Sequence, residues 1–174
     1  MQFDHYLIRP LEANDLPAYF GLVERNRHRL EFFTGTTSRT KTFEDTRVFL
    51  SEMLQRNQDT TYFPYFIVDT TNNKIIGFID LKNIDWKIPK SEIGYYMDGS
   101  YAGKGIMSKA LRLFCEYCFQ KFKFEKLFLR THESNHAAKA VAEKCGFELE
   151  GTIRRDYKTS SGKIIDLLYY GNVR

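Results

Sequence analysis

The stretch Tyr101-Ala102-Gly103-Lys104-Gly105-Ile106-Met107-Ser108-Lys109-Ala110-Leu111 decides the fold of this chain. Two glycines flank a lysine, and an amphipathic helix begins directly after them. Glycine adopts positive φ without strain and has no Cβ to keep a ligand away from the backbone. The first turn of a helix offers N–H groups without intrahelical partners, together with the positive end of the helix dipole. The stretch therefore predicts a binding site for a phosphate or pyrophosphate group.

The residues before this loop predict a strand, Glu92–Met97, followed by the short turn Asp98-Gly99-Ser100. Two common phosphate-binding motifs do not fit this order. A P-loop requires Ser or Thr after Gly-Lys, where this chain has Gly105. A dinucleotide fingerprint requires an acidic residue at the end of the next strand, and Lys126–Thr131 has none. The glycine loop therefore indicates a different phosphate ligand.

Length and composition predict one globular domain, residues 1–174. The 174 residues include 43% hydrophobic side chains, with 15 Phe and 11 Tyr, which is enough for a core and excludes disorder as the main state. The N-terminal residues do not resemble a signal peptide, and no apolar run reaches the ~20 residues that span a membrane. We therefore expect a cytoplasmic protein that does not bind membranes.

Charge and the positions of cysteine and histidine limit which cofactors, nucleic acids and metal ions the chain is expected to bind. The net charge of +4 suits a polyanionic cofactor, and the basic residues do not alternate with aromatics as in RNA-binding sheets, so no direct nucleic-acid partner is expected. Cys115 and Cys118 fall on the apolar face of the predicted helix Met107–Phe122, which favours core packing over a metal site. His132 and His136 straddle a strand end and a helix start, which also disfavours zinc. No metal is expected.

The hydrophobic pattern predicts an α/β protein in which a strand–helix–strand step interrupts an otherwise antiparallel run. Asp15 and Thr42 are positioned to cap the first two helices, and Ser134 or Asn135 to cap the last, which Gly146 ends. Leu30 to Lys41 is expected to be a surface loop. The predicted strands are His5–Arg9, Tyr62–Val68, Lys74–Leu81, Glu92–Met97, Lys126–Thr131, Leu149–Tyr157 and Lys163–Tyr170.

Several short motifs, in this order and spacing, resemble the GNAT superfamily of acetyl-CoA-dependent N-acetyltransferases, and within it the branch that acetylates ribosomal-protein N-termini. The motifs are Glu92-Ile93-Gly94-Tyr95, Gly103-Lys104-Gly105, Thr131-x₃-Asn135 and Cys145-Gly146-Phe147-x-x-Glu150-Gly151. The resemblance implies a mixed, mostly antiparallel sheet of six to seven strands with flanking helices. It also implies a splay between the strand ending at Met97 and the one beginning at Lys126.

The resemblance implies where acetyl-CoA would bind. Its pyrophosphate would lie on the backbone N–H groups of the glycine loop, and an N–H near Met97 would stabilise the oxyanion. The chain departs from the family at Ala102, where relatives carry Gln or Arg, and at Met107, where they carry Gly or Ala. The expected cofactor-binding residues are Tyr96, Met97, Asp98, Gly103, Lys104, Gly105, Ile106, Met107, Ser108, Asn135 and Lys139.

The expected catalytic residues are Glu150, Glu92 and Asn135. Glu150, placed at the mouth of the splay, or Glu92 would accept the amine proton through water, and Asn135 would contact the cofactor arm or an ordered water. Relatives place a Ser or Tyr acid where this chain has Ala138 and Ala142, so the group that protonates the thiolate is not identified. An α-amino group with a pKa near ~7.7–8.0 needs less help from a base than a lysine near ~10.4.

The acceptor remains open at the level of sequence. The first hypothesis is the N-terminal amine of a protein or peptide, attacking acetyl-CoA directly in a ternary complex. The second is a small amine such as a polyamine or an aminoglycoside, which the basic residues Arg25, Arg27, Arg29, Arg39 and Lys41 disfavour. A third is a non-catalytic acetyl-CoA-binding module. The protein is expected to be a monomer or homodimer.

Overall fold

A computed structural model describes residues 1–30 and 33–174, and for Thr34 the backbone alone. Within these residues the chain forms a mixed α/β arrangement of strands and helices. The strands are β1 Gln2–Phe3, β2 Tyr6–Pro10, β3 Phe63–Asp69, β4 Lys74–Asp85, β5 Lys90–Met97, β6 Lys126–Thr131, β7 Glu148–Lys158 and β8 Ile164–Val173. The helices are α1 Leu16–Asn26, α2 Thr34–Thr37, α3 Phe43–Gln58, α4 Ile106–Lys121 and α5 His136–Lys144.

The sheet is mixed and mostly antiparallel, as the sequence predicts. The described residues form eight strands in the order β1-β2-β3-β4-β5-β6-β8-β7. The strand–helix–strand step gives the parallel pair, in which Lys90 pairs with Lys126 and Glu92 with Phe128. The expected count of six to seven strands is one short. The additional strand is β1, whose two residues fold back on β2 through Asp4 at φ 46° and are too few to show a period.

The described residues divide into two compact units, of which the first comprises Met1–Asp80 and Tyr95–Lys104. Its core is aromatic and lies where α1 and α3 pack together and α3 meets β3. Tyr19, Phe66 and Phe78 have ring centroids 5.5 to 5.7 Å apart. Tyr96 continues this stack at 5.3 Å from Phe78. The end of β5, which leads into the glycine loop, is therefore anchored by its own side chain.

The second unit comprises Leu81–Gly94 and Gly105–Arg174. Here α4 and α5 contact each other, and α5 contacts β6. Leu127 and Leu129 of β6 are buried, while the alternate residues of that strand are half-buried, so one face of β6 belongs to the core. Cys115 and Cys118 are buried on α4, which confirms their predicted role in packing.

The predicted helix starts are correct at two positions and differ in detail at a third. Thr42 Oγ1 accepts a hydrogen bond from Asp45 N–H at 3.1 Å, and Asn135 Oδ1 accepts one from Ala138 N–H at 3.1 Å. Asp15 stands at the N-cap of α1, but its carboxylate forms no cap bond. It binds both terminal nitrogens of Arg9, at 2.6 and 2.7 Å, and accepts a hydrogen bond from Glu12 N–H at 2.8 Å.

Two other predictions concern the segment Leu30 to Lys41 and the membrane. The segment predicted as a surface loop contains the helical turn α2, and Leu30 and Thr40 are buried, so the prediction of a loop is wrong at these positions. Glu31 and Phe32 lie outside the described residues. None of the described helices has the length and the apolar character that crossing a membrane requires. The expectation of a single domain stays a prediction.

Candidate functional site

The turn after β5 is held by one buried carboxylate. Asp98 is 5% exposed and caps the 3₁₀ turn Gly99–Tyr101, accepting hydrogen bonds from the N–H and the hydroxyl of Ser100 at 3.1 and 2.9 Å. Its other oxygen accepts one from Arg25 Nε at 3.1 Å and lies 3.3 Å from Lys74 Nζ. The predicted cofactor contact of Asp98 stays a prediction, and its observed contacts all shape the turn.

These contacts set the pKa of Asp98. Burial alone raises it, but the two hydrogen bonds from Ser100, the one from Arg25 and the charge of Lys74 outweigh burial and lower it to about 2. The carboxylate is therefore ionised throughout the neutral range. Because the ionised form is the one that is bound, the turn depends on that charge.

The two glycines of the loop both adopt left-handed backbone conformations. Gly103 has φ 76° and Gly105 φ 75°, which residues with a Cβ rarely adopt. No atom of the described residues lies within 4 Å of a Cβ built on either one. Neighbouring side chains therefore do not require glycine here, whereas the backbone conformation does. The open space beside both α-carbons is what a ligand lying against the backbone needs.

The N-terminus of α4 supplies backbone donors, as predicted. Gly105 is its N-cap, and the bond from Lys109 N–H to Gly105 O, 3.1 Å, is the first of the helix. The amides of Ile106, Met107 and Ser108 therefore precede the intrahelical ladder. The side chains of Ile106 and Met107 are buried in the second unit, which fixes the direction of α4.

Tyr96 and Met97 end β5 in the first unit. Tyr96 is 6% exposed and packs into the aromatic core, so only its backbone is available to a ligand. The N–H of the next residue, Asp98, donates to Ile76 O of β4 at 2.7 Å. Because successive amides of a strand point to opposite sides, the N–H of Met97 points away from β4. That direction is the one the predicted oxyanion contact requires.

Asn135 and Lys139 lie on successive turns of α5. The side-chain oxygen of Asn135 is engaged in the helix cap, so a ligand contact would use its amide nitrogen. Lys139 N–H donates to Asn135 O at 3.1 Å, and the Lys139 side chain is half-buried. The cofactor contacts expected of Asn135 and Lys139 stay a prediction.

The two candidate bases, Glu92 and Glu150, each bind a cation of β6, and the two cations lie at opposite ends of that strand. Glu92 is 4% exposed and accepts from Asn83 Nδ2 at 2.6 Å and from Arg130 Nη2 at 3.0 Å. Glu150 is exposed, and both of its oxygens bind Lys126 Nζ, at 2.5 and 2.6 Å. Lys126 begins β6, five residues or roughly 16 Å before the end of that strand at Thr131. Glu150 therefore lies at the Lys126 end of β6, not near the end that leads to Asn135.

Arg130, which the sequence analysis did not single out, contacts the candidate base Glu92. Its guanidinium binds Glu92 and lies 3.2 Å from Asp156, and Tyr169 donates its hydroxyl to Asp156 at 3.2 Å. Burial lowers the pKa of Arg130, but the hydrogen bond and charge of Glu92 outweigh burial and raise it above the ordinary value. The sequence does contain a signal for Arg130: it is a charged residue within a short strand, in alternation with the core residues Leu127 and Leu129.

Three cations of the predicted basic entrance, Arg25, Arg27 and Arg39, are paired with acidic residues, which offset part of their charge. Arg25 binds Asp98, Arg27 binds Glu24, and Arg39 binds Glu52. The basic entrance itself stays a prediction. Within residues 1–30 and 33–174, no group of three His, Cys, Asp or Glu side chains is arranged to hold a metal ion.

Comparison with known proteins identifies the family of this chain. A family model described as an acetyltransferase (GNAT) domain matches residues 5–148. The probable N-acetyltransferase YjcK of Bacillus subtilis (strain 168) is 30% identical over 153 residues, covering 87% of this chain and 84% of the relative. The putative ribosomal N-acetyltransferase YdaF of the same organism is 29% identical over 170 residues, covering 96% and 90%.

A solved structure gives the same fold. RimL, a ribosomal L7/L12 alpha-N-protein acetyltransferase solved with coenzyme A, superposes with a TM-score of 0.90 at 24% identity, covering 98% of this chain and 95% of RimL. The mixed sheet with a glycine loop ahead of α4 places the chain in the class of α/β proteins that share the fold of RimL. The chain belongs to the GNAT family and is an acetyl-CoA-dependent N-acetyltransferase.

The pKa of Asp98 leads to a prediction about stability. Because its folded pKa lies below the ordinary value of 3.8, its contribution is present above pH 4 and is lost as the pH falls toward 2. Asp98→Asn should lower the free energy of unfolding by about 2 kcal/mol at pH 7. The difference from wild type should shrink to under about 1 kcal/mol near pH 2.

Urea unfolding of both proteins at several pH values measures this, with the exposed Asp59→Asn as the matched control. A difference between Asp98→Asn and wild type that stays constant from pH 7 to pH 2 would show that the charge of Asp98 does not hold the turn.

Proposed function

We propose that this enzyme transfers the acetyl group of acetyl-CoA to the N-terminal amine of a protein or peptide, by direct attack in a ternary complex. The observation that carries the proposal is the pair of left-handed glycines in a GNAT chain, directly before the first amides of α4, which have no intrahelical hydrogen-bond acceptor. The printed names of two relatives support the acceptor class: YdaF is a putative ribosomal N-acetyltransferase, and RimL is a ribosomal L7/L12 alpha-N-protein acetyltransferase.

In this proposal the cofactor binds through the backbone. The pyrophosphate of acetyl-CoA lies on the amides from Gly103 to Ser108, with Lys104 adding a positive charge. Met97 N–H, which points away from β4, donates to the thioester oxygen and stabilises the oxyanion. The amide nitrogen of Asn135 and the ammonium of Lys139 are the remaining cofactor contacts, and Tyr96, Asp98, Ile106 and Met107 contribute backbone or loop geometry.

Of the two carboxylates, Glu92 is the better candidate for the base. It lies on β5 itself, where the ladder to β6 has its last pair, and the same strand ends at Met97, the proposed oxyanion donor. Glu150 is exposed on the outermost strand of the sheet. The proposal therefore assigns the proton of the attacking amine to Glu92, through a water.

A small amine is the second candidate acceptor. The spermidine N(1)-acetyltransferase of Escherichia coli (strain K12) is 25% identical over 86% of this chain. The observation that favours this alternative is that Arg25, Arg27 and Arg39 are paired with acids, so the repulsion expected for a polycation is smaller than the sequence suggests.

A panel of acceptors tests the function. Peptides with a free N-terminal Ser or Ala should release CoA from acetyl-CoA, because an α-amine is partly neutral at pH 7. The same peptides with a blocked N-terminus and an internal Lys should not, and spermidine should be slower than the best peptide. Spermidine faster than every peptide would establish the small-amine function, and acetyl-CoA binding without any turnover would establish a non-catalytic module.

The glycine loop is tested by substitution. Gly105→Val should abolish acetyl-CoA binding measured by calorimetry, because valine is strained at φ 75° and its side chain occupies the space beside the backbone. Gly162→Val is the matched control, since Gly162 also has positive φ and open surroundings but lies in the β7–β8 turn. Equal loss in both variants, or loss in neither, would contradict the assignment of the loop.

The base is tested by a matched pair. Glu92→Gln should lower kcat by the ~10²–10⁴ typical of a positioned base and leave acetyl-CoA affinity unchanged, with partial recovery at high pH. Glu150→Gln should retain a kcat close to that of wild type. The opposite ranking would assign the base to Glu150, and wild-type rates in both would assign proton acceptance to solvent.

A further inference from the structure

An arginine from another part of the chain lies against the turn before the glycine loop. A Cβ built on Gly99 would lie 2.3 Å from Nη1 of Arg29 and 3.3 Å from its Cζ. The guanidinium therefore covers the α-carbon of Gly99. Unlike Gly103 and Gly105, Gly99 is not in the left-handed region, so its backbone conformation does not require glycine. A Cβ at position 99 would therefore displace only the far end of the Arg29 side chain.

The segment that carries Arg29 is fixed to the turn at two further points. Asn26, which is 2% exposed, accepts a hydrogen bond from Gly99 N–H at 2.8 Å, and Arg25 binds Asp98. Arg29 follows one turn later, at the end of the 3₁₀ turn Arg27–Arg29. Its backbone is thus held in place, which reduces the conformational entropy that a ligand contact would cost.

The charge of Arg29 is not neutralised by the described part of the chain. Most arginines of the first unit, including Arg9 and Arg25, are paired with carboxylates, whereas Arg29 forms no ion pair or hydrogen bond within residues 1–30 and 33–174. Lys104, five residues after Gly99, lies with its Nζ 5.2 Å from the ring centre of Tyr101 and forms no ion pair within those residues. Within the described residues, a cation without an ion pair thus stands at each end of the segment Gly99–Lys104.

We propose that Arg29 binds a phosphoryl group of acetyl-CoA, either the pyrophosphate or the 3′-phosphate, next to Gly103 and Lys104. A planar guanidinium donates two parallel hydrogen bonds to a phosphate, and Arg29 is exposed. Ala102 has no side-chain donor, and its N–H already donates to Gly99 O at 3.2 Å. Arg29 therefore supplies a guanidinium that the loop itself lacks. The inference rests on the proposed cofactor binding.

Calorimetry with acetyl-CoA and with dephospho-CoA tests the inference. Arg29→Ala should raise the Kd for acetyl-CoA about tenfold or more, as expected for loss of a charged hydrogen bond, with kcat at saturating acetyl-CoA unchanged. The control Arg47→Ala removes an exposed arginine of α3 and should change nothing. If the partner is the pyrophosphate, dephospho-CoA binding falls by the same factor. If it is the 3′-phosphate, dephospho-CoA binding is unaffected.

A double-mutant cycle separates this role from a structural one. Gly99→Ala keeps the charge but displaces the guanidinium, so it should also weaken acetyl-CoA binding, and adding it to Arg29→Ala should have little further effect. Wild-type affinity in Arg29→Ala would overturn the inference while leaving the proposed function intact. Arg29-dependent binding without turnover of any amine would support the inference and overturn the proposed function.

Discussion

The carboxylate of Asp98 joins three parts of the first compact unit at one point. Arg25 comes from α1, Lys74 from β4, and Ser100 from the turn that leads into the glycine loop. Each oxygen accepts bonds of a different kind, so the turn is fixed in position by α1 and in shape by its own hydroxyl. Asn26 adds a neutral bond to Gly99 from the same helix. The start of the loop is therefore set by side chains more than 70 residues earlier in the chain.

The sequence was sufficient wherever the signal was local. Lys126–Thr131 is found as the strand that its alternation predicts. Asn135 caps α5 because its side-chain oxygen accepts one of the first-turn N–H groups that have no intrahelical partner. The positive φ at Gly103 and Gly105 is equally local, since only the backbone of the loop is involved. Strand β1 was missed because two residues carry no period.

The sequence was insufficient wherever an ion pair joins two side chains that are far apart in the chain. Arg25 and Arg39 were interpreted as part of a basic entrance, and each pairs with a carboxylate that the chain brings near only on folding. Glu150 binds Lys126 next to a bulge in β7 between Leu149 and Gly151, and its place at the mouth of the splay stays a prediction. Such pairings depend on tertiary register, which residue spacing does not encode.

The burial of the cysteines has a practical consequence for the study of this enzyme. Cys115, Cys118 and Cys145 are the three cysteines of the chain, and each is at most 6% exposed. Burial raises the pKa of all three thiols, so little thiolate is present at neutral pH to react. Free CoA, in contrast, is a solvent-exposed thiol. A thiol-reactive dye added to the folded enzyme therefore reports the leaving group of the reaction, with little background from the protein that catalyses it.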